Sequence, residues 1–188
     1  NSLNISKKVW FLRIDIIVLS IKITLMNIVI KNHFLLYGDY KLKCSIGKSG
    51  LAYHKKEGDL NTPKGTYGLG ILYYRKDRLS KLKCEIKKRV ITKNMGWCDD
   101  INSKKYNREI VFPFDDSAEE LYRKDGIYDL LINIKYNYRP TIKGRGSAIF
   151  LHIAKKNYLP TEGCVAIKKK DFLKILPLIK TNTKISII

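Results

Sequence analysis

The segment Ser147-Ala-Ile-Phe-Leu-His-Ile153 is followed, after a polar loop, by the segment Pro160-Thr-Glu-Gly-Cys-Val-Ala-Ile167. The first segment predicts a short apolar strand, in which His152 shares a face with Phe150 because side chains alternate along a strand. Twelve positions separate His152 from Cys164, an interval that allows the chain to leave one strand, form a loop and return beside it. The two segments therefore favour a β-rich fold in which the imidazole and the thiol are candidates for one site.

The sequence from residue 26 onward has mostly the pattern of β-strands. The apolar run Phe34-Leu-Leu36, the turn signal Gly38-Asp39 and the alternating residues 40–46 predict a β-hairpin. Further strands are predicted where apolar residues alternate: over residues 67–74, around Leu82, Cys84 and Ile86, over residues 129–138, and at Ile185 and Ile187.

Two short helices are also predicted. Ser117-Ala-Glu-Glu120 has the pattern of a capping box, which satisfies free amides at a helix start, and predicts a helix that continues to about residue 124. Phe172, Leu176 and Ile179 predict a C-terminal helix, and Pro177 is expected to kink or shorten it because proline lacks the amide hydrogen. The pattern as a whole indicates one mixed, β-dominated domain with one or two short helices.

The first 25 residues are interpreted as an N-terminal extension or leader, ahead of a domain over residues 26–188. Residues 10–30 are largely apolar, yet Arg13, Asp15 and Lys22 interrupt them, so no stable membrane span is predicted. The same stretch lacks the small-residue cleavage site of a clear signal peptide.

The balance of charge is strongly basic. Thirty-seven Lys and Arg residues stand against 17 Asp and Glu residues, which gives a formal net charge of +20 in a chain of 188 residues. Such a field attracts polyanions, including nucleic acid, acidic lipid surfaces and envelope polymers. In residues 40–46, however, lysines alternate with apolar residues, which favours a solvated strand face over a dedicated binding surface. No specific nucleic-acid partner is predicted, and the oligomeric state is left open.

The four cysteines are Cys44, Cys84, Cys98 and Cys164. None forms a CxxC pair, and none lies at zinc-ligand spacing from another cysteine or histidine, so neither a metal site nor a cofactor is predicted. Cys44 and Cys84 lie on the apolar side of alternating stretches and are interpreted as small buried hydrophobic residues.

Cys164 and His152 are the candidate catalytic residues. A free thiol has a pKa of about 8.5 and is mostly protonated at neutral pH, and a nearby imidazole that takes its proton makes the sulfur a competent nucleophile. Attack on an amide carbonyl builds negative charge on oxygen. The backbone N–H groups around Gly163 and Cys164 are the candidate donors to that oxyanion, because glycine allows close approach of the backbone.

The two quoted segments resemble the active-site segment of the L,D-transpeptidase catalytic-domain family, the YkuD-like proteins. The substrate-side loop of that family is similar to Lys56-Glu-Gly-Asp59 together with Thr62-Pro-Lys-Gly65. Three further segments resemble a proteobacterial branch of the family: Gly96-Trp-Cys-Asp-Asp100, Tyr128-Asp-Leu130 and Tyr136-Asn137. The resemblance covers about residues 45–180. It implies a β-sandwich or barrel fold, peptidoglycan stem peptides as substrates, and a location in the periplasm or cell envelope.

The reaction that the resemblance implies is attack by the Cys on the diaminopimelate carbonyl of a tetrapeptide stem, release of D-Ala and transfer to an amine. Better-known members have Ser/Thr-His-Gly-Cys and then Arg or Asn two residues beyond the Cys, whereas this chain has Glu162 and Ala166 at the two differing positions. Recognition of the substrate carboxylate is therefore not carried over. Arg145 is a candidate replacement through bidentate pairing. The other candidate substrate-binding residues are Thr161, Ser147 and Trp97.

Two other functions stay open from the sequence. With water in place of the amine, the same Cys and His make the protein an L,D-carboxypeptidase or an amidase. A non-enzymatic polyanion-binding module predicts basic residues interleaved with aromatic ones on one face, and Lys168-Lys-Lys170, the only run of three lysines, lacks that interleaving.

Overall fold

The computed structural model describes residues 27–188, which form a β-dominated domain with one short α-helix. The helix, α1, spans Lys169–Ile175, and single 3-10 turns span Lys156–Tyr158 and Leu176–Leu178. The strands are β1 (Ile28–Lys31), β2 (Phe34–Tyr37), β3 (Tyr40–Ser45), β4 (Leu51–Ala52), β5 (Thr62–Pro63), β6 (Gly65–Tyr74), β7 (Lys88–Val90), β8 (Met95–Cys98), β9 (Glu109–Val111), β10 (Ala118–Glu120), β11 (Leu130–Ile134), β12 (Phe150–Ile153), β13 (Val165–Ile167) and β14 (Lys184–Ile187).

The main sheet closes on itself because β6 is long enough to pair with two strands, one along each part of its length. Its first residues pair with β14, from Gly65 opposite Ile187 to Gly68 opposite Lys184, and its later residues pair with β11. The order β11-β12-β13-β3-β2-β1-β14-β6 thus returns to β11, with β7 attached to β6. Closure leaves few free sheet edges. The predicted β-dominated fold with a barrel-like sheet and few short helices is confirmed.

Period-two alternation divides the side chains of β11 and β12 between two cores. Leu130, Ile132 and Leu151 point into the barrel, where they pack in the main hydrophobic cluster together with α1. Leu131 and Phe150 point the other way and belong to a second cluster outside the barrel. Because successive side chains in a strand face opposite sides, each strand is buried on both faces.

The second core is covered by a three-stranded antiparallel sheet in the order β10-β8-β9. Trp97 from β8 packs edge-to-face on Phe150, with ring centroids 5.2 Å apart, and on Tyr73, with centroids 6.3 Å apart. Burial of an aromatic side chain such as Phe150 contributes about 1.5–3 kcal/mol to the free energy of unfolding. The small sheet therefore fixes the outer face of β12, the strand that carries His152.

The helix predicted from Ser117 to about residue 124 is wrong. Ala118–Glu120 forms β10, which pairs with β8 in the register Ala118 to Cys98 and Glu120 to Gly96. The Ser117 hydroxyl donates to a carboxylate oxygen of Asp99 at 2.6 Å instead of capping a helix. Pairing with a buried strand outweighs the weak local preference of a four-residue pattern.

The strand predicted around Leu82, Cys84 and Ile86 is also wrong, because residues 81–87 are irregular and the nearby strand is β7. Ile86 is buried, and Leu82 and Cys84 are partly buried against the main core. The alternation of these three apolar residues therefore reflects their packing against the main core and not membership of a strand.

Other predicted elements are confirmed. The hairpin of β2 and β3 turns at Gly38-Asp39 with Tyr37 opposite Tyr40. α1 ends just before the 3-10 turn that contains Pro177, and β14 includes Ile185 and Ile187. The predicted extension over residues 1–25, and its boundary at residue 26, lie outside the described residues. Among residues 27–188, no helix is long and apolar enough to cross a membrane.

Candidate active site

Parallel pairing of β12 with β13 brings His152 and Cys164 to the same side of the sheet. His152 lies opposite Ala166, and Cys164 comes two residues before Ala166, so the two side chains are diagonal neighbours on one face. Both line a cavity of about 340 Å³. The cavity is bounded by Lys55, Glu57, Asp99, Glu119, Arg123, Ile127, Tyr128, Ser147, Ala148, Ile149, His152, Lys155, Leu159, Pro160, Thr161, Glu162 and Cys164.

The sulfur of Cys164 is held by the backbone of the strand that carries His152. The thiol donates to the Ala148 carbonyl at 3.2 Å, and the Phe150 amide donates to the sulfur at 3.3 Å. Cys164 is 8% exposed, so its sulfur lies at the floor of the cavity and not on the open surface.

The imidazole of His152 is oriented by one hydrogen bond and one ring contact. Its Nδ1 lies 2.9 Å from the Ile153 carbonyl. Because a carbonyl only accepts, we assign the hydrogen to Nδ1, which leaves Nε2 as an acceptor and potential base. The Tyr128 ring packs edge-to-face on the imidazole, with centroids 5.2 Å apart, and its hydroxyl donates to Glu119 at 2.7 Å.

Burial keeps both members of the pair neutral in the resting protein. It lowers the pKa of His152 to about 4 and raises the pKa of the Cys164 thiol far above its ordinary value, with the nearby Glu119 carboxylate adding to the rise. Both shifts favour the neutral thiol and the neutral imidazole over a thiolate–imidazolium pair in the resting protein.

The turn before Cys164 is fixed by two threonines. The Thr161 hydroxyl donates to the Cys164 carbonyl at 2.7 Å and accepts from the Gly163 amide at 3.2 Å. The fully buried Thr62 hydroxyl also donates to the Cys164 carbonyl, at 3.3 Å. Thr161 borders the cavity, but its hydroxyl is used to hold the turn. In this resting state the Gly163 amide, one of the candidate oxyanion donors, is likewise occupied.

Gly163 has a backbone conformation that no other residue adopts without strain. Its φ is +137°, and a Cβ there would lie 2.9 Å from the Asn61 carbonyl oxygen. We expect Gly163→Ala to reduce the free energy of unfolding by about 1–3 kcal/mol. The expectation from the sequence that a stem peptide acylates Cys164 further predicts that displacement of Cys164 slows this acylation roughly 10- to 100-fold. Chemical denaturation and intact-mass kinetics measure the two effects.

The control is Gly38→Ala in the β2–β3 hairpin, where φ is +55° and nothing lies within 4 Å of the added Cβ. This variant should lose some stability and keep the wild-type acylation rate. Equal acylation rates for the Gly163 and Gly38 variants would contradict the role of Gly163 in placing the sulfur.

The remaining candidate substrate-binding residues lie in different places. Ser147 is buried in the cavity wall, and its hydroxyl has no hydrogen-bond partner among residues 27–188. Arg145 is exposed outside the cavity and borders a separate groove near Tyr136. Trp97 is buried in the second core, where its indole N–H donates to Asn107 at 2.9 Å. The structure therefore brings neither Arg145 nor Trp97 to the cavity of Cys164.

Most residues of the cavity wall were not predicted as site residues, and among those with polar or charged side chains are Lys55, Glu119, Arg123 and Tyr128. Tyr128 and the loop just after Lys55 occur in the segments with family resemblance, which is the only signal that pointed to them. Glu119 and Arg123 fall in the segment that the sequence predicted as a helix, and their approach to the cavity depends on the β10–β8 pairing.

Comparison with known families gives one match. The family model described as the L,D-transpeptidase catalytic domain, YkuD, matches residues 15–187 of the chain. No curated protein that was compared with the chain matches it.

Proposed function

The chain belongs to the L,D-transpeptidase catalytic-domain family, and from this premise we propose that it is a peptidoglycan L,D-transpeptidase with Cys164 as nucleophile and His152 as general base and acid. Membership makes it an enzyme of the L,D-transpeptidase type and indicates peptidoglycan substrates in the cell envelope. The proteobacterial branch and a periplasmic location are further parts of the proposal. The observation that carries the residue assignment is that the Cys164 sulfur and the His152 ring share one cavity beside a strained glycine turn.

Acylation begins with the neutral pair. The Cys164 sulfur forms a bond to the diaminopimelate carbonyl carbon of a tetrapeptide stem, while the thiol proton passes to Nε2 of His152. The carbonyl oxygen becomes an oxyanion, which backbone amides of the turn around Gly163 and Cys164 stabilise once substrate displaces the resting contacts. The carbon–nitrogen bond then breaks, the proton on Nε2 goes to the departing nitrogen, and D-Ala leaves behind a thioester.

Deacylation reverses these roles. An acceptor amine attacks the thioester carbon and gives a proton to His152, and the Cys164 sulfur leaves and recovers that proton. Acids at the cavity wall, Asp99, Glu119 and Glu162, provide a favourable environment for the ammonium form of an arriving amine. Lys55, Arg123 and Lys155 line the same cavity, so its charge is mixed, and the choice of an amine over water is the part of the proposal that product analysis decides.

Product analysis tests the proposal. Incubation of the protein with purified tetrapeptide muropeptides should give a dimer joined through two third residues, a 3→3 cross-link, together with free D-Ala. Liquid chromatography with mass spectrometry identifies both products. Tripeptide without dimer would instead make the protein an L,D-carboxypeptidase using the same Cys164 and His152, and unchanged muropeptide would contradict both functions.

A further inference from the structure

Lys55 places a buried ammonium group against the turn that carries the nucleophile. Its side chain is only 2% exposed and lines the cavity of Cys164. A Cβ on Gly163 would lie 3.4 Å from Nζ, so the ammonium is in contact distance of the residue that precedes the nucleophile. Lysine is rarely buried to this extent without a charged partner or a function.

The ammonium has more donors than the protein satisfies. Nζ donates to Asp59 at 2.6 Å and to the Lys56 carbonyl at 3.3 Å. A lysine ammonium carries three N–H donors, and the third has no acceptor among residues 27–188. In a cavity wall, that free donor is available to an anionic or carbonyl group of a bound molecule.

The position of the ammonium is fixed on both sides. Asp59 accepts from the Lys56 amide at 2.7 Å and the Asn61 amide at 2.9 Å as well as from Lys55. Although partial burial acts in the opposite direction, these hydrogen bonds lower the pKa of Asp59 to about 2. The lysine stem passes so close to Gly146 that a Cβ there would lie 2.7 Å from Cε. The group is thus preorganised, with little freedom left to lose on binding.

The other cations of the chain are less suited to this position. Arg145 is exposed outside the cavity, and Ala166 occupies the place where better-known family members have Arg or Asn. Arg123 lines the cavity, but its side chain is one-third exposed and its partner Asp125 is exposed too, so solvent screens its charge more than that of Lys55. Lys155 is exposed. Among the described residues that line the cavity, Lys55 is the buried cation.

We propose that Lys55 binds the terminal carboxylate of the D-Ala residue that is released from the tetrapeptide stem. This inference rests on the proposed function. In such a stem, one nitrogen and one α-carbon separate the attacked carbonyl from the terminal carboxylate. An ammonium beside the nucleophile turn is therefore placed to hold the carboxylate while the sulfur attacks the carbonyl.

The test compares two donors and two enzymes. The donors are a tetrapeptide muropeptide with a free C-terminal carboxylate and the same muropeptide with a C-terminal amide, and the readout is the second-order rate of Cys164 acylation by intact-mass spectrometry. The wild-type protein should prefer the free acid by roughly 10- to 100-fold, because the amide donor lacks the charged carboxylate and so loses one charge-assisted hydrogen bond with Lys55. Lys55→Met should lose this preference by slowing only with the free acid.

Lys56→Met is the matched control, because Lys56 is the exposed neighbour and contributes only backbone atoms to the Asp59 loop. It should keep the wild-type preference. A Lys55→Met protein that slows equally with both donors would show that Lys55 acts on the oxyanion or on packing, and a retained preference would assign the carboxylate to another group.

The wild-type protein alone is also decisive, even where Lys55→Met fails to fold. Equal acylation by acid and amide overturns the role of Lys55 and leaves the proposed function standing. Acylation by neither donor contradicts the proposed function itself.

Discussion

We expect Cys164→Ser to abolish turnover of tetrapeptide muropeptides while the protein keeps its fold and stability. A serine hydroxyl has nearly the volume of the thiol and can make the same contacts with the Ala148 carbonyl and the Phe150 amide. It is, however, a far weaker acid and nucleophile than a thiol, so transfer of its proton to His152 is much less favourable in a site built for sulfur. The expected loss in kcat is at least about 10,000-fold, the scale seen when a nucleophile is removed from a catalytic unit.

Mass spectrometry extends this prediction to inhibitors. We propose that a carbapenem-type β-lactam, whose strained amide a cysteine nucleophile can open, adds once to the wild-type protein and not to Cys164→Ser. Cys84→Ser is the control, because Cys84 is partly buried in residues 81–87 and its thiol donates to the Ile86 carbonyl away from the cavity. Peptide mapping that placed the adduct on Cys44, Cys84 or Cys98 would contradict the assignment of Cys164.

We expect His152→Asn to lower kcat by roughly 100- to 10,000-fold, because the asparagine amide cannot accept the thiol proton or return it to the leaving amine. An asparagine can still donate to the Ile153 carbonyl as Nδ1 does, so the strand should stay intact. Single-turnover acylation of Cys164 by a muropeptide measures the effect. A loss below tenfold would assign the base to another residue.

The same variant changes how stability depends on pH. The folded pKa of His152 is about 4, below the unfolded value of about 6.5, so the unfolded chain binds the extra proton between these values. Stability associated with neutral His152 is present above pH 6.5 and is lost as pH falls toward 4, by about 3 kcal/mol in all. Denaturant unfolding should show this slope in the wild-type protein and in His54→Asn, an exposed control, and a weaker slope in His152→Asn.

The segment from Ser117 to Arg123 shows why local patterns failed at one wall of the cavity. A serine followed three residues later by glutamate favours a helix start in an isolated chain. In the folded protein, β8 provides backbone hydrogen-bond partners for this segment and Trp97 provides a buried neighbour. These interactions stabilise a strand here instead of a helix. Glu119 consequently faces Tyr128 and the cavity. No pattern within the segment contains the information that β8 lies beside it.

The predicted anion-binding residue Arg145 lies outside the cavity for a related reason. Arg145 precedes the strand of His152 in the sequence, yet proximity along the chain does not place a loop residue inside a cavity. Lys55 is nearly a hundred positions from His152 and reaches the cavity because the loop of Asp59 packs against Gly146 and Gly163. Contacts between distant segments depend on strand order, which single-sequence patterns do not specify.

The sequence by itself determined the β-rich class, the hairpin of β2 and β3, and the strand that carries His152 next to a glycine-cysteine turn, because period-two alternation and glycine turns are properties of a few adjacent residues. Only the tertiary structure decided the neighbours of that pair: the Tyr128–Glu119 contact on the imidazole, the Lys55 ammonium at the turn, and the burial that keeps thiol and imidazole neutral. Burial and charge at a site come from segments that are far apart in the chain, and they exist only after closure of the sheet has brought those segments together.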